Sequence, residues 1–300
     1  MTIPPYLKQN DKVGIVSTAK RTTPQEIEYG LNILKSWGLT PILGQHIFKQ
    51  NFFLAGSDEE RAEDLQAMLD DPEIKAIFFS KGGYGTLRII DVLDFTKFRE
   101  NPKWIVGYSD ITVMHSHIHN FGIATLHSVM LGGMETSNTQ SSETVRKALF
   151  GESLSYTLPA NPENKSGDEV VEGVITGGNL SVLFALTGSV SDMDMDDKIL
   201  FIEDIDEYLY HFDRMFLSLK RAGKLANLKA LIVGDMVDIK DSTLPFGQTV
   251  NDMILLHVQM YDFPIYFDFP AGHTKNNNAL ILGANIKITS KERTITFAFV

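Results

Sequence analysis

"WIVGYSDIT", Trp104–Thr112, decides how this chain is read: an apolar run, a glycine turn and the first residues of a helix. "FFSKGGYGTLRII", Phe78–Ile90, has the same grammar upstream, with three glycines in the turn. Short apolar runs rich in Val, Ile and Phe recur at "KVGIVSTA" (Lys12–Ala19), "KAIFFSKG" (Lys75–Gly82), "KWIVGYS" (Lys103–Ser109) and "IATLHSV" (Ile123–Val129). Segments of helical period lie between them. "PQEIEYGLNILKSWG" (Pro24–Gly38) opens on a proline and closes on a glycine, and "SDEERAEDLQAMLDD" (Ser57–Asp71) opens on a serine with glutamate three residues on, a capping box. Alternating strands and helices predict a parallel sheet with helices on both faces. Ligands of such sheets gather beyond the carboxyl ends of the strands, where both opening motifs fall.

The polar stretch "YTLPANPENKSGDE", Tyr156–Glu169, has two prolines and no strand or helix period, and reads as a connection. The expected division is an N-terminal α/β domain over 1–155, a linker over 156–169 and a smaller mixed α/β domain over 170–300. In the second half, "KILFIEDIDE" and "LKALIVGDMV" read as strands, and the amphipathic segment between them places Leu209, Phe212, Phe216 and Leu219 on one helical face. "NALILGANIKITSKERTITFAFV" alternates as an antiparallel hairpin does. The acidic run "SDMDMDD", Ser191–Asp197, reads as a solvated loop, and "TGGNL", Thr176–Leu180, as a strand-to-helix turn.

Composition narrows the function classes. The 300 residues are 43% hydrophobic and 22% charged, with a formal net charge of -11, so neither nucleic acid nor an anionic membrane is the expected partner. With no cysteine there is no disulfide, thiolate nucleophile or Cys-ligated zinc, a pattern that fits the cytoplasm. No run approaches the roughly 20 apolar residues of a membrane span, and the N-terminus does not read as a signal peptide. A cytoplasmic, soluble protein is expected.

For chemistry, Ser109 stands on a sharp turn after a strand, where its hydroxyl is exposed at a helix start. The hydrolase pattern G-x-S-x-G is half met: Gly107 is present, but Ile111 replaces the second glycine. An N-cap serine is the competing reading. The Gly82, Gly83, Gly85 loop lacks the Lys-Ser/Thr ending of a P-loop and the spacing of a dinucleotide fingerprint. A base and a carboxylate must complete any serine nucleophile. His273 follows a glycine beyond the strand "PIYFDFP", and an acid inside the apolar strand "ILFIEDI" needs a partner. Glu203, Asp204, Asp206 and Glu207 all qualify from position alone. "HSHIH", His115–His119, resembles a metal cluster, but His117 points away from the face shared by His115 and His119 and no third ligand is evident. Neither metal nor cofactor is expected.

"SKGGYGTLRIIDVLDF", "VGYSDIT", "LFIEDIDEYLYHFDRMFLSLKRAGKL" and "PAGHTKNNNALILG" resemble, in order and spacing, the murein L,D-carboxypeptidase family of serine peptidases, which also holds the microcin C immunity proteins. The resemblance runs from "DKVGIVS" to "LILGA". It implies a Ser-Glu-His triad of Ser109, Glu203 and His273, assembled in the cleft between the domains, and a homodimer. With it, the backbone N–H groups of Asp110 and of Gly83, in the "GGYG" loop, become the candidate oxyanion donors, and Lys81 and Tyr84 the candidate substrate contacts. Where the family usually carries arginine this chain has Lys81, which keeps the charge but loses the bidentate fork. The implied activity is release of the terminal D-alanine from a murein tetrapeptide in cell wall recycling. The alternatives are hydrolysis of an aminoacyl nucleotide-like amide, as by the microcin immunity type, and a non-catalytic binder of peptides or phosphorylated ligands.

Overall fold

A computed structural model describes residues 1–300. In chain order the first half runs β1 (Lys12–Val16), α1 (Pro24–Ser36), β2 (Thr40–Leu43), α2 (Asp58–Asp70), β3 (Ile74–Phe79), α3 (Thr96–Glu100), β4 (Trp104–Gly107), α4 (Thr112–His119), β5 (Thr125–His127) and α5 (Thr139–Leu149). The second runs β6 (Ser155–Pro159), β7 (Glu169–Asn179), α6 (Leu180–Leu186), β8 (Ile199–Ile205), α7 (Leu209–Arg221), β9 (Ala230–Val237), α8 (Val250–Val258), β10 (Ile265–Tyr266), β11 (Leu280–Leu282), β12 (Asn285–Lys291) and β13 (Thr294–Phe299). No helix is long and apolar enough to cross a membrane.

Helix starts follow local chemistry. Thr23 with Glu26 and Ser57 with Glu60 form reciprocal capping boxes, each satisfying two N–H groups that a helix start leaves open. In α7 the predicted stripe is real: Phe212, Phe216 and Leu219 are buried together with Met215. Each such side chain contributes about 1.5–3 kcal/mol of apolar burial.

The first sheet has the order β2-β1-β3-β4-β5, all parallel, with β11 added antiparallel to β5. The second runs β10-β9-β8-β7-β12-β13-β6. Its first four strands are parallel and the β7, β12, β13, β6 side is antiparallel, including the expected terminal hairpin. The fold is thus mixed α/β with two sheets and flanking helices.

Four sequence expectations change. Thr176–Asn179, read as part of a strand-to-helix turn, is the paired end of β7 beside β8, and α6 follows at once from Leu180. Tyr156–Pro159, assigned to the linker, lies in β6 and pairs with β13, because Tyr156 turns inward and its hydroxyl donates to the Ala279 carbonyl at 2.6 Å. Residues 280–282, assigned to the second domain, close the edge of the first sheet. The largest apolar cluster consequently contains Val13 and Val106 from one sheet and Ile199 and Ile232 from the other. The run Ser191–Asp197 is only half solvated, since Met193 and Met195 alternate inward and pack with α7. The strand β2 escaped the sequence reading because it is only four residues long, contains a proline and leaves three of its four residues exposed, Ile42 and Leu43 among them.

Candidate active site

Ser109 leaves β4 on a turn with φ +59°, a left-handed conformation that costs a side-chain-bearing residue on the order of 1–3 kcal/mol. A single 3-10 turn, closed by the Ile111 N–H donating to the Tyr108 carbonyl at 3.1 Å, leads into α4. His115 pins this geometry from below: buried, with burial lowering its imidazole to about 3, it meets the Gly107 carbonyl through Nε2 at 2.9 Å.

Opposite, the loop after β10 carries His273. Its Nε2 lies 3.2 Å from Ser109 Oγ, and its Nδ1 lies 2.7 Å from Glu203 Oε2. A carboxylate only accepts, so Nδ1 carries the proton and Nε2 is free to accept from the serine hydroxyl. Gly272 permits the approach. At φ +138°, it sits where a Cβ would fall 2.9 Å from Asp235 Cβ and 3.2 Å from Glu203 Cβ. Tyr108 packs on the other side of the imidazole, with ring centroids 4.8 Å apart.

Electrostatics match the geometry. Burial acts to raise the Glu203 carboxyl, which is fully enclosed, but its histidine neighbours more than offset this and hold it below the usual carboxylate range. Burial acts to lower His273, and the Glu203 carboxylate outweighs it, so the imidazole is raised.

The rival acids are separated by their partners. Asp204 accepts from Asn179 Nδ2 at 3.0 Å and the Ser181 N–H at 2.9 Å. Asp206 pairs with Lys240, and Glu207 with His211. Glu203 alone of the four meets His273.

The glycine loop lies beside the serine: a Cβ on Gly82 would stand 3.2 Å from Ser109 Oγ. Gly83 is one residue farther along, against Lys20 and Phe53, and its N–H donates to no protein acceptor. The Asp110 side chain has a part that the sequence reading did not give it. Its buried side chain accepts the Thr86 N–H at 2.9 Å, tying the glycine loop to the serine turn. Lys81 is ion-paired with Glu26 of α1, and Tyr84 is half exposed. Two cavities flank the His273 loop and meet at Thr274: one of about 210 Å³ lined by Tyr108, Ser137 and Asn277, and one of about 450 Å³ lined by Asp235 and Asn276.

The three histidines of "HSHIH" diverge. His115 reaches Gly107, His117 reaches Ser191 Oγ at 2.8 Å, and His119 reaches Thr176 Oγ1 at 3.3 Å. One neighbour escaped sequence reading altogether. His127, ending β5, is buried with its Nε2 3.9 Å from Glu203 Oε1. Inside "IATLHSV" nothing distinguishes it from a core histidine.

With this fold and geometry in place, comparison with known proteins defines the class. Residues 13–128 match the LD-carboxypeptidase N-terminal domain and residues 172–288 the LD-carboxypeptidase C-terminal domain. The chain belongs to the LD-carboxypeptidase family. It is 34% identical to the probable murein peptide carboxypeptidase of Bacillus subtilis, over 97% of this chain and 92% of that one. The crystal structure of muramoyltetrapeptide carboxypeptidase from Oxalobacter formigenes superposes with TM-score 0.85 at 27% identity, covering 96% of this chain and 99% of that one. The microcin C7 self immunity protein MccF in complex with aspartyl sulfamoyl adenosine shares the fold, with TM-score 0.86 at 23% identity over 99% of this chain and 98% of that one.

Proposed function

We propose that this protein is a serine carboxypeptidase that cuts the bond between an L-centre and a terminal D-residue, releasing D-alanine from murein tetrapeptides in the cytoplasm. The observation that carries the reading is the continuous relay of Ser109 Oγ, His273 and Glu203 at 3.2 and 2.7 Å. In this reading Ser109 Oγ attacks the carbonyl carbon as its proton passes to His273 Nε2. His273 then returns that proton to the departing amine, and the C–N bond breaks. Water, deprotonated by the same imidazole, attacks the acyl-enzyme and restores the serine. Glu203 holds the Nδ1–H tautomer and stabilises the imidazolium.

Negative charge gathering on the carbonyl oxygen requires two donors already in position. The Asp110 N–H and the free Gly83 N–H fill those roles in the mechanism. Tyr84 and Lys81 are assigned to substrate contact, with Lys81 exchanging Glu26 for a substrate carboxylate. The relay itself needs no metal. A homodimer is the proposed assembly, supported by the family resemblance.

The test is incubation with a murein tetrapeptide and with its all-L counterpart, read by mass spectrometry. Loss of one alanine from the first substrate only is expected, and Glu203→Gln should reduce it strongly. Release that is unaffected by Ser109→Ala, or no release by the folded protein, overturns the reading. An aminoacyl nucleotide-like amide in the same panel separates the peptidase from an immunity-type hydrolase.

A further inference from the structure

The relay uses one of the two carboxylate oxygens of Glu203. Oε2 meets His273, whereas Oε1 is buried without any hydrogen-bond partner. Facing it at 3.9 Å is Nε2 of His127, itself fully buried and unpartnered at both ring nitrogens. Buried polar groups in native proteins are almost always paired. Here a complementary donor and acceptor are both open, and their separation exceeds a hydrogen bond by less than an ångström. The ring is oriented toward the carboxylate by aromatic packing: Phe201 lies edge-to-face at 5.0 Å and Tyr108 at 5.9 Å. Its strand register reinforces this placement, since His127 pairs with Gly107 on one side and Leu280 on the other.

We propose that His127 is a positioning residue that carries its proton on Nε2 and donates it to Glu203 Oε1, clamping the carboxylate between two imidazoles so that Oε2 faces His273. This rests on Ser109, His273 and Glu203 being the catalytic relay. A slight ring rotation closes the contact, and the carboxylate then has a donor on each oxygen.

The clamp also sets how strongly Glu203 holds the proton on His273. The charged and titratable groups around the pair are Glu203 and Asp204 on β8, Asp235 on β9, Tyr108 after β4, and His115 on α4. The acids all favour a protonated His273, which is the wrong form for accepting the serine proton. A second hydrogen bond to Glu203 draws off part of its negative charge and acts against them. Removing His127 therefore strengthens the hold on the proton and moves the acid limb of kcat/KM to higher pH.

Nitrogen-15 NMR of the imidazoles in the intact wild-type protein reads the tautomer directly. An Nε2–H tautomer at His127 is expected, and an Nδ1–H tautomer overturns the proposal. His127→Phe should move both the His273 ring titration and the acid limb upward by about half a pH unit or more, with kcat down on the order of ten-fold. His127→Gln, which keeps a donor at similar reach, should restore most of both. A lower Tm in the Phe variant with an unmoved His273 titration marks a merely structural histidine and overturns the proposal. If the Phe variant does not fold, the wild-type tautomer and the Gln titration decide. The ring titration requires no substrate, so absence of peptide turnover in wild type would sink the catalytic reading without touching this result.

Discussion

Two strand-to-helix junctions, one a turn and the other the end of β7 running straight into α6, meet at the interface between the sheets, and they solve the same problem differently. In the first, Gly107–Thr112, the residue driven to positive φ is Ser109, at +59°. In the second, Thr176–Leu180, it is Gly177 and Gly178, at +126° and +141°, followed by Asn179, whose side chain caps α6 by accepting the Val182 N–H at 3.2 Å. They touch directly, the Asn179 N–H donating to Thr112 Oγ1 at 3.0 Å. Glycine absorbs the strained conformation where only backbone must fit. In the proposed relay a side-chain-bearing residue holds it because the hydroxyl is the reacting group, and the fold carries the cost.

Substitution at the two junctions should have opposite signatures. The largest effect on activity is expected at Ser109: Ser109→Ala loses on the order of 10³ or more in kcat with the fold retained. Ser109→Gly should be equally inactive yet more stable by about 1 kcal/mol, because the strain is relieved. Thermal unfolding of both variants checks this, and a Gly variant no more stable than the Ala variant would show the turn to be unstrained. At the second junction, inside β7, Gly177→Ala should cost stability first. A Cβ there collides with the Phe201 carbonyl oxygen on β8, the strand that carries Glu203 opposite Asn179. A loss of about 2 kcal/mol or more is expected, with kcat reduced through displaced geometry. Full stability would mean that β7 and β8 can slide apart without consequence.

The smallest effect concerns Asp204, which ties the end of β7 and the start of α6 to β8. Burial, reinforced by the Glu203 charge, raises its carboxyl to about 7 from an ordinary value of 3.8. A raised acid costs stability where the folded protein must ionise it, so the penalty is full above pH 7 and relieved as pH falls toward 3.8. The raised His273 contributes in the same sense, its stabilisation present below 6.5 and lost as pH rises through the folded value. Wild type should therefore gain Tm between pH 8 and pH 5.5, and Asp204→Asn should shrink that gain while leaving kcat within a few-fold. An undiminished gain in the variant would assign it to His273 alone.

Much of this molecule was legible in its residues. The strands β1, β3, β4 and β5, the Ser57–Glu60 capping box and the amphipathic face of α7 are patterns within a few neighbouring residues, and local sterics and hydrogen bonding realise them wherever the chain goes. The turn marked Ser109 as a candidate, with an N-cap as the competing reading, and position left four acids in one short stretch as candidates for a carboxylate partner; the family resemblance chose among them. What tertiary structure decided lies between distant positions. Glu203 and His273 are 70 residues apart, and Ser109 and His273 164. The return of residues 280–282 to the first sheet, the inward turn of Tyr156 and the approach of His127 to Glu203 likewise join segments whose own sequences carry no mark of the partner. Periodicity encodes which face of an element is buried, but not what it is buried against. That pairing is settled only when both sheets close over a common core, and packing leaves each polar group to the one partner within reach.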